Sequence, residues 1–159
     1  MKIFFQGLDL PLVTRDFQLI RWMGANSFRT SHYPYAEEIM NFADRNGIMI
    51  IDECPGVNLH IFDDELLKNH QIVMKELVNR DKNRPSVIAW SIANEPGSEV
   101  HQALDYFQKV ADFTRNLDKT RPVMAVLSRG YLRDNAAPAL DIIGINRYFR
   151  FVILPKALK

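Results

Sequence analysis

Short runs rich in β-branched residues alternate along this chain with longer segments of helical periodicity, and this alternation limits the fold more than any other feature. Five apolar runs predict strands at residues 27–30, 48–52, 87–92, 122–127 and 141–146. Apolar residues that recur every three or four positions predict helices at 11–23, about 36–46, about 63–82 and about 98–116. Repeated strand–helix units of this kind form a parallel sheet covered by helices, either as a barrel or as an open doubly wound sheet.

Polar residues follow the carboxyl ends of four of these strands and bear on the choice between the two folds. They are Arg29, Asp52 with Glu53, Asn94 with Glu95, and Asn146. In (β/α)₈ barrels the active site is assembled from strand ends on one face, so such residues would converge. No G-x-G-x-x-G joins a strand to a helix, which makes a dinucleotide-binding fold the weaker choice. The sequence therefore favours an α/β barrel.

The stretch W-S-I-A-N-E, which ends at Glu95, places an amide and a carboxylate directly after a buried apolar run. A charge at such a position costs several kcal/mol unless it is paired, hydrogen-bonded or protonated. A catalytic role is one explanation. The structural alternative is an acid that favours a helix N-terminus just ahead of a cap at Ser98.

Composition excludes several other classes of function. The 20 basic and 19 acidic residues form no stripe of one sign, so neither nucleic acid nor a membrane is favoured as a partner. No apolar stretch approaches the ~20 residues needed to span a bilayer. The apolar run at the N-terminus is shorter than the hydrophobic region of a secretory signal. Cys54 is the single cysteine and is expected to be an inert buried thiol. His60 and His70 fit no metal motif and are expected to face solvent, so we expect no metal and no cofactor.

Two long segments resemble the signatures of glycoside hydrolase family 2, namely NSFRTSHYPYAEEIMNFADRNGIMIID and DKNRPSVIAWSIANE. Within that family, the segments IDECPGV, HYPYAEE and INRY are most similar to the members that act on β-glucuronides. The resemblance runs from about residue 8 to about residue 149, and residues 1–159 form a single partial domain. It implies strands 2 to 6, approximately, of a (β/α)₈ TIM barrel that is not closed.

The resemblance also implies an activity and a set of site residues. The activity is retaining hydrolysis of O-glycosyl bonds, with release of terminal β-D-glucuronic acid from glucuronides or glycosaminoglycans. Glu95 matches the general acid/base, Asn94 a hydrogen-bond partner of a sugar hydroxyl, and Arg29 a holder of carboxylates. The other positions that match the sugar pocket are His32, Asp52, Asn146 and Tyr148. Structural roles remain open, since Arg29 could pair with a buried acid such as Glu53 and His32 could bond its own loop.

Further expectations concern what the sequence does not include. The family's nucleophile is a second glutamate after a seventh strand, so the 159-residue chain alone is expected to have no turnover. Open sheet edges and an uncovered inner face predict poor solubility, a molten chain or association with another copy. Two alternatives stay open, a non-catalytic sugar-binding or interaction protein and another specificity of the family such as β-galactosidase or β-mannosidase. A lysosomal location is implied only for an animal source.

Overall fold

The computed structural model describes residues 8–128 and 134–146 of the chain. Five parallel strands pair in chain order, and they are β1 Ser27–Arg29, β2 Met49–Glu53, β3 Val87–Asn94, β4 Val123–Leu127 and β5 Ile142–Ile145. The helices are α1 Leu10–Trp22, α2 Glu37–Asn46, α3 Asp64–Asp81 and α4 Gln102–Leu117, with a short 3₁₀ helix at Ala137–Ala139 before β5. All nine predicted strands and helices are confirmed, with ends shifted by a few residues.

The strand order distinguishes a barrel from a doubly wound sheet. Right-handed connections between neighbouring parallel strands place every connecting helix on the same face as long as the order never reverses. A doubly wound sheet reverses its order and carries helices on both faces. Here the order runs from β1 to β5 without reversal. The sheet is therefore an open, curled part of a (β/α) barrel, as predicted.

The two faces of the sheet have different surroundings. Outward side chains such as Ile50, Trp90 and Ile92 are fully buried against the helices, where they pack with Met74 and Phe107. The inward face carries a smaller apolar group made of Ile51, Ala89, Met124 and Val126. Since successive strand residues point to opposite faces, this division fixes the face to which each polar residue near a strand end points.

The start of α4 differs from the prediction. Ser98 was expected to cap this helix, but the helix begins at Gln102 after His101, which makes no side-chain cap bond. Ser98 Oγ instead donates to Asp134 Oδ2 at 2.6 Å, and both side chains are buried. The predicted cap is wrong because Ser98 ties the loop before α4 to the segment that leads into β5.

Candidate active site

Seven polar side chains meet at the carboxyl ends of the strands, and we call them the strand-end cluster. Its members are Arg29, His32, Glu53, Ser91, Asn94, Glu95 and Asn146, which hydrogen bonds join into one network. Five of the seven predicted site residues belong to it, namely Arg29, His32, Asn94, Glu95 and Asn146. The polar residues at the ends of the different strands therefore do converge on one edge of the sheet.

Glu53 lies at the centre of the network although it was not among the predicted site residues. Its side chain is fully buried. Arg29 Nη1 donates to Oε2 at 2.6 Å, Ser91 Oγ donates to the same oxygen at 2.7 Å, and His32 Nδ1 donates to Oε1 at 3.2 Å. The suggested pairing of Arg29 with this acid is confirmed. Three donors from three segments compensate the desolvation of the carboxylate.

A β-bulge turns Asn94 toward the inward face. Ser91 pairs with Met124 and Asn94 pairs with Val126, so three steps along β3 correspond to two along β4. Strict alternation would place Ser91 and Asn94 on opposite faces. The extra residue places both on the inward face, which is a common use of bulges beside functional sites.

Asn94 is linked to Glu95 through Asn146. Asn94 Oδ1 accepts from Arg29 Nη1 at 3.1 Å and from Asn146 Nδ2 at 3.2 Å. Asn146 Nδ2 also donates to Glu95 Oε1 at 2.6 Å. Because Asn94 Oδ1 already accepts two hydrogen bonds, the amide N–H₂ of Asn94 is the group that could donate to a ligand.

Glu95 itself has a backbone conformation that glycine normally occupies. Its φ is 48°, and its N–H donates to Val126 O at 2.7 Å. A non-glycine residue held in the left-handed region costs on the order of 1–3 kcal/mol, and such residues are concentrated at functional sites. The side chain is only partly buried, at the end of a strand whose last residues are buried. This combination makes Glu95 the acid of the cluster that a ligand could reach.

Asp52 is not brought into the cluster. It precedes Glu53 in β2, so it points to the helix-covered face, where it is fully buried. Thr30 Oγ1 donates to Asp52 Oδ1 at 3.1 Å, while Oδ2 has no hydrogen-bond donor among the described residues. Burial, and then the neighbouring Asp81 carboxylate, raise the pKa of Asp52 to about 8. A proton on Oδ2 that is shared with Asp81 would satisfy both carboxyls, while Arg80 and Arg84 bind Asp81 from outside.

This carboxyl pair predicts a pH dependence of stability. Between about pH 4 and pH 8 the folded protein keeps a proton on Asp52 that the unfolded chain has released, so the contribution of Asp52 to the free energy of unfolding falls as pH rises. Asp52→Asn places an amide donor against Asp81 and should flatten this decline, as measured by urea unfolding between about pH 6.5 and pH 8, where His70 is neutral in both the folded and the unfolded state. Asp118→Asn removes another buried acid and should leave the decline in place. Equal slopes for Asp52→Asn and the wild type would contradict the shared proton.

A cavity of about 110 Å³ lies behind the carboxyl end of β2 and is lined in part by Cys54 and His70. His70 is buried, so the prediction that it faces solvent is wrong, whereas His60 is exposed as predicted. His70 Nε2 donates to Ile92 O at 2.8 Å, and Nδ1 accepts from the Tyr106 hydroxyl at 2.8 Å. Burial lowers the pKa of His70 to about 4 and raises the pKa of Cys54 to about 12. A neutral thiol beside a neutral imidazole fits the predicted inert cysteine.

Two further observations concern ligands and location. In the described part of the chain, no three His, Cys, Asp or Glu side chains are grouped so that they could hold a metal ion. The helices that the structure describes are all too short or too polar to cross a bilayer. Tyr148, the last predicted site residue, lies outside the described residues, and its role stays a prediction.

A family model decides the relationship of this chain. The model of the TIM barrel domain of glycosyl hydrolases family 2 matches residues 2–155. The chain belongs to glycoside hydrolase family 2. The family 2 assignment agrees with the curated relatives, which include the β-glucuronidases of Mus musculus, 52% identical over 147 residues, and of Homo sapiens, 50% identical over 147 residues. In both cases the match covers 91% of this chain but only 23% of the relative.

Solved β-glucuronidase structures resemble the chain closely. The β-D-glucuronidase of Dictyoglomus thermophilum superposes with a TM-score of 0.85 at 41% identity, covering 93% of this chain and 28% of that one. A β-glucuronidase from Ruminococcus gnavus, solved with a C6-substituted uronic isofagomine, gives a TM-score of 0.84 at 42% identity, covering 90% and 26%. The chain is thus similar to about a quarter of each of these two enzymes.

Proposed function

We propose that this chain is part of an enzyme that releases terminal β-D-glucuronic acid from glucuronides by a retaining mechanism. The observation that carries the proposal is the position of Glu95, a reachable acid on a left-handed backbone in the strand-end cluster. Similarity to β-glucuronidases supports the choice of sugar.

Glu95 is proposed as the general acid/base. In the first step its carboxylic acid gives a proton to the glycosidic oxygen while a second carboxylate attacks the anomeric carbon and the aglycone leaves. In the second step the Glu95 carboxylate removes a proton from water, which attacks the same carbon and frees the sugar. Asn146, which bonds Glu95 Oε1 at 2.6 Å, leaves Oε2 as the oxygen that would carry the transferred proton.

The neighbouring residues are proposed to bind the sugar. The free amide N–H₂ of Asn94 would donate to a hydroxyl near the anomeric centre, an interaction that can tighten in the transition state. Arg29 and His32 are held from behind by Glu53 and are partly exposed, with 20% and 42% of their side chains accessible. They could therefore contact a ligand with their remaining donors. Asp52 is left out of this proposal, since it lies on the other face of β2.

The nucleophile is proposed to come from outside these 159 residues. The two carboxyls of a retaining enzyme lie about 5–5.5 Å apart, and both must reach the sugar. Glu53 is the other acid of the cluster, but it is fully buried and already accepts three hydrogen bonds. We therefore expect the isolated 159-residue chain to bind sugar at most and not to turn it over.

The test is to extend the transcript in both directions and assay the longest gene product on aryl β-glucuronides, β-galactosides and β-mannosides. We expect glucuronide hydrolysis with retention of configuration, seen by NMR of the first-formed anomer. Preference for a galactoside or mannoside would refute the sugar assignment. Ligand binding that raises the melting temperature without any hydrolysis would favour a non-catalytic sugar-binding protein.

The proposal extends to location and assembly. For an animal source, resemblance to animal β-glucuronidases supports a lysosomal location. Among the described residues no helix covers the outward side chains of β5, and Ile143 and Ile145 are 37% and 49% exposed. Such apolar exposure at a sheet edge supports association with a further chain or copy.

A further inference from the structure

We propose that Glu53 is a positioning residue of the site, one that never touches the sugar but holds the groups that do. This inference rests on the proposed function. Glu53 has no exposed surface, whereas two of its three hydrogen-bond donors, Arg29 and His32, are partly exposed.

Stability does not explain a charge at this position. A buried ion pair repays its desolvation only with ideal geometry, and well-packed apolar side chains of the same volume often stabilise a fold as well or better. The strand position before it on the same face, Ile51, is apolar, so the inward surface accepts such residues. A carboxylate at residue 53 therefore has to be explained by what it holds.

Glu53 fixes Arg29 in one orientation. A guanidinium is a rigid planar fork, so anchoring Nη1 on Glu53 Oε2 at 2.6 Å also sets the direction of its other N–H groups. The same Nη1 donates to Asn94 Oδ1 at 3.1 Å. The Asn94 amide is thereby held with its oxygen toward Arg29 and its nitrogen free.

Glu53 fixes His32 through its second oxygen. His32 follows β1 in a loop, and its ring would otherwise rotate freely, since 42% of the side chain is exposed. The bond from Nδ1 to Glu53 Oε1, at 3.2 Å, leaves Nε2 as the ring atom directed away from the carboxylate. One buried carboxylate thus orients an arginine, a histidine and, through the arginine, an asparagine.

The test uses Glu53→Gln in the longest gene product that contains these 159 residues, with an aryl β-glucuronide as substrate. The amide is isosteric but lacks the charge and places an N–H₂ group against donors. We expect kcat/KM to fall about 100-fold, the size of loss that a displacement of about 1 Å can produce. We also expect KM to rise, because the sugar-binding groups are no longer held.

The rise in KM separates positioning from a structural role. A variant that merely unfolds in part has fewer active molecules, which lowers the apparent kcat and leaves KM unchanged. Asp118→Asn is the matched control, since Asp118 is a buried acid that accepts from Arg121 at 2.7 Å and Trp90 at 3.0 Å, at the opposite end of the sheet. It should lower the melting temperature without moving KM.

Glu53→Asp covers the case in which the glutamine variant does not fold. It keeps the charge but withdraws the carboxylate by one methylene, and KM should again rise. An unchanged KM in a folded Glu53 variant, while the wild type hydrolyses glucuronides, would overturn this inference and leave the proposed function standing. No hydrolysis by the wild type would remove the proposed function and this inference with it.

Discussion

Glu95→Ala in the longest gene product is expected to lower kcat by about 10²–10⁴-fold, the usual contribution of a positioned general acid/base. The loss should depend on the leaving group. A glucuronide with a poorly acidic aglycone needs the proton from Glu95, whereas a nitrophenolate leaves without it. The measurement is kcat/KM, which reports the step in which the aglycone leaves, for a series of aryl glucuronides whose phenols differ in acidity.

A matched variant and a chemical rescue sharpen this test. Glu95→Gln keeps the size and the backbone conformation, so its melting temperature should stay close to that of the wild type while hydrolysis is lost. In the Glu95→Ala variant, azide, which attacks the anomeric carbon without needing a general base, should restore turnover of the activated substrates and yield the glycosyl azide. A uniform loss across all leaving groups, with no rescue, would show that Glu95 does not act as the acid/base.

Lowering the pH from about 6.5 to about 4 is expected to cost roughly 3 kcal/mol of stability through His70 alone. Burial holds the pKa of this imidazole at about 4, so in this window the unfolded chain takes up a proton that the folded protein does not. The contribution is fully present above about pH 6.5 and is lost as pH falls. Asp52 acts in the opposite direction, and the two slopes should nearly cancel between about pH 4 and pH 6.5.

Variants can separate these opposing slopes. His70→Gln should show a free energy of unfolding that falls as pH rises through this window, because only Asp52 still titrates. Asp52→Asn should show the reverse, a free energy that rises with pH. Urea unfolding of the 159-residue chain at several pH values is sufficient. Parallel curves for His70→Gln and the wild type would contradict a neutral buried His70.

Sequence reasoning succeeded where one strong local signal decided the outcome. The strands and helices follow from hydrophobic period, and the barrel follows from polar strand ends together with the missing dinucleotide motif. The position of His70 is predictable too, since it lies four residues from Leu66 and from Met74 and seven from Leu77, on the buried side of α3. For this residue the position on the helix is a better guide to burial than the polarity of the side chain.

The direction of side chains at the strand ends was harder to predict. Asp52 and Glu53 are chemically alike, and only the alternation of β2 shows that Glu53 shares the inward face with Ile51. The bulge in β3 and the left-handed backbone at Glu95 leave no mark in a single sequence. Both depend on how neighbouring strands pair, which is tertiary information.

The bulge makes the geometry of the strand-end cluster depend on the number of residues in β3 as well as on their identity. Deletion of one residue between Ser91 and Asn94 could leave the sequence A-N-E intact, but the Asn94 side chain would then point toward the helix-covered face. An alignment that admits a gap here would therefore equate residues that face opposite ways. In a relative of this chain, the Asn–Glu motif can be given the same roles only where the same number of residues separates it from the position of Ser91, the last residue of β3 paired before the bulge.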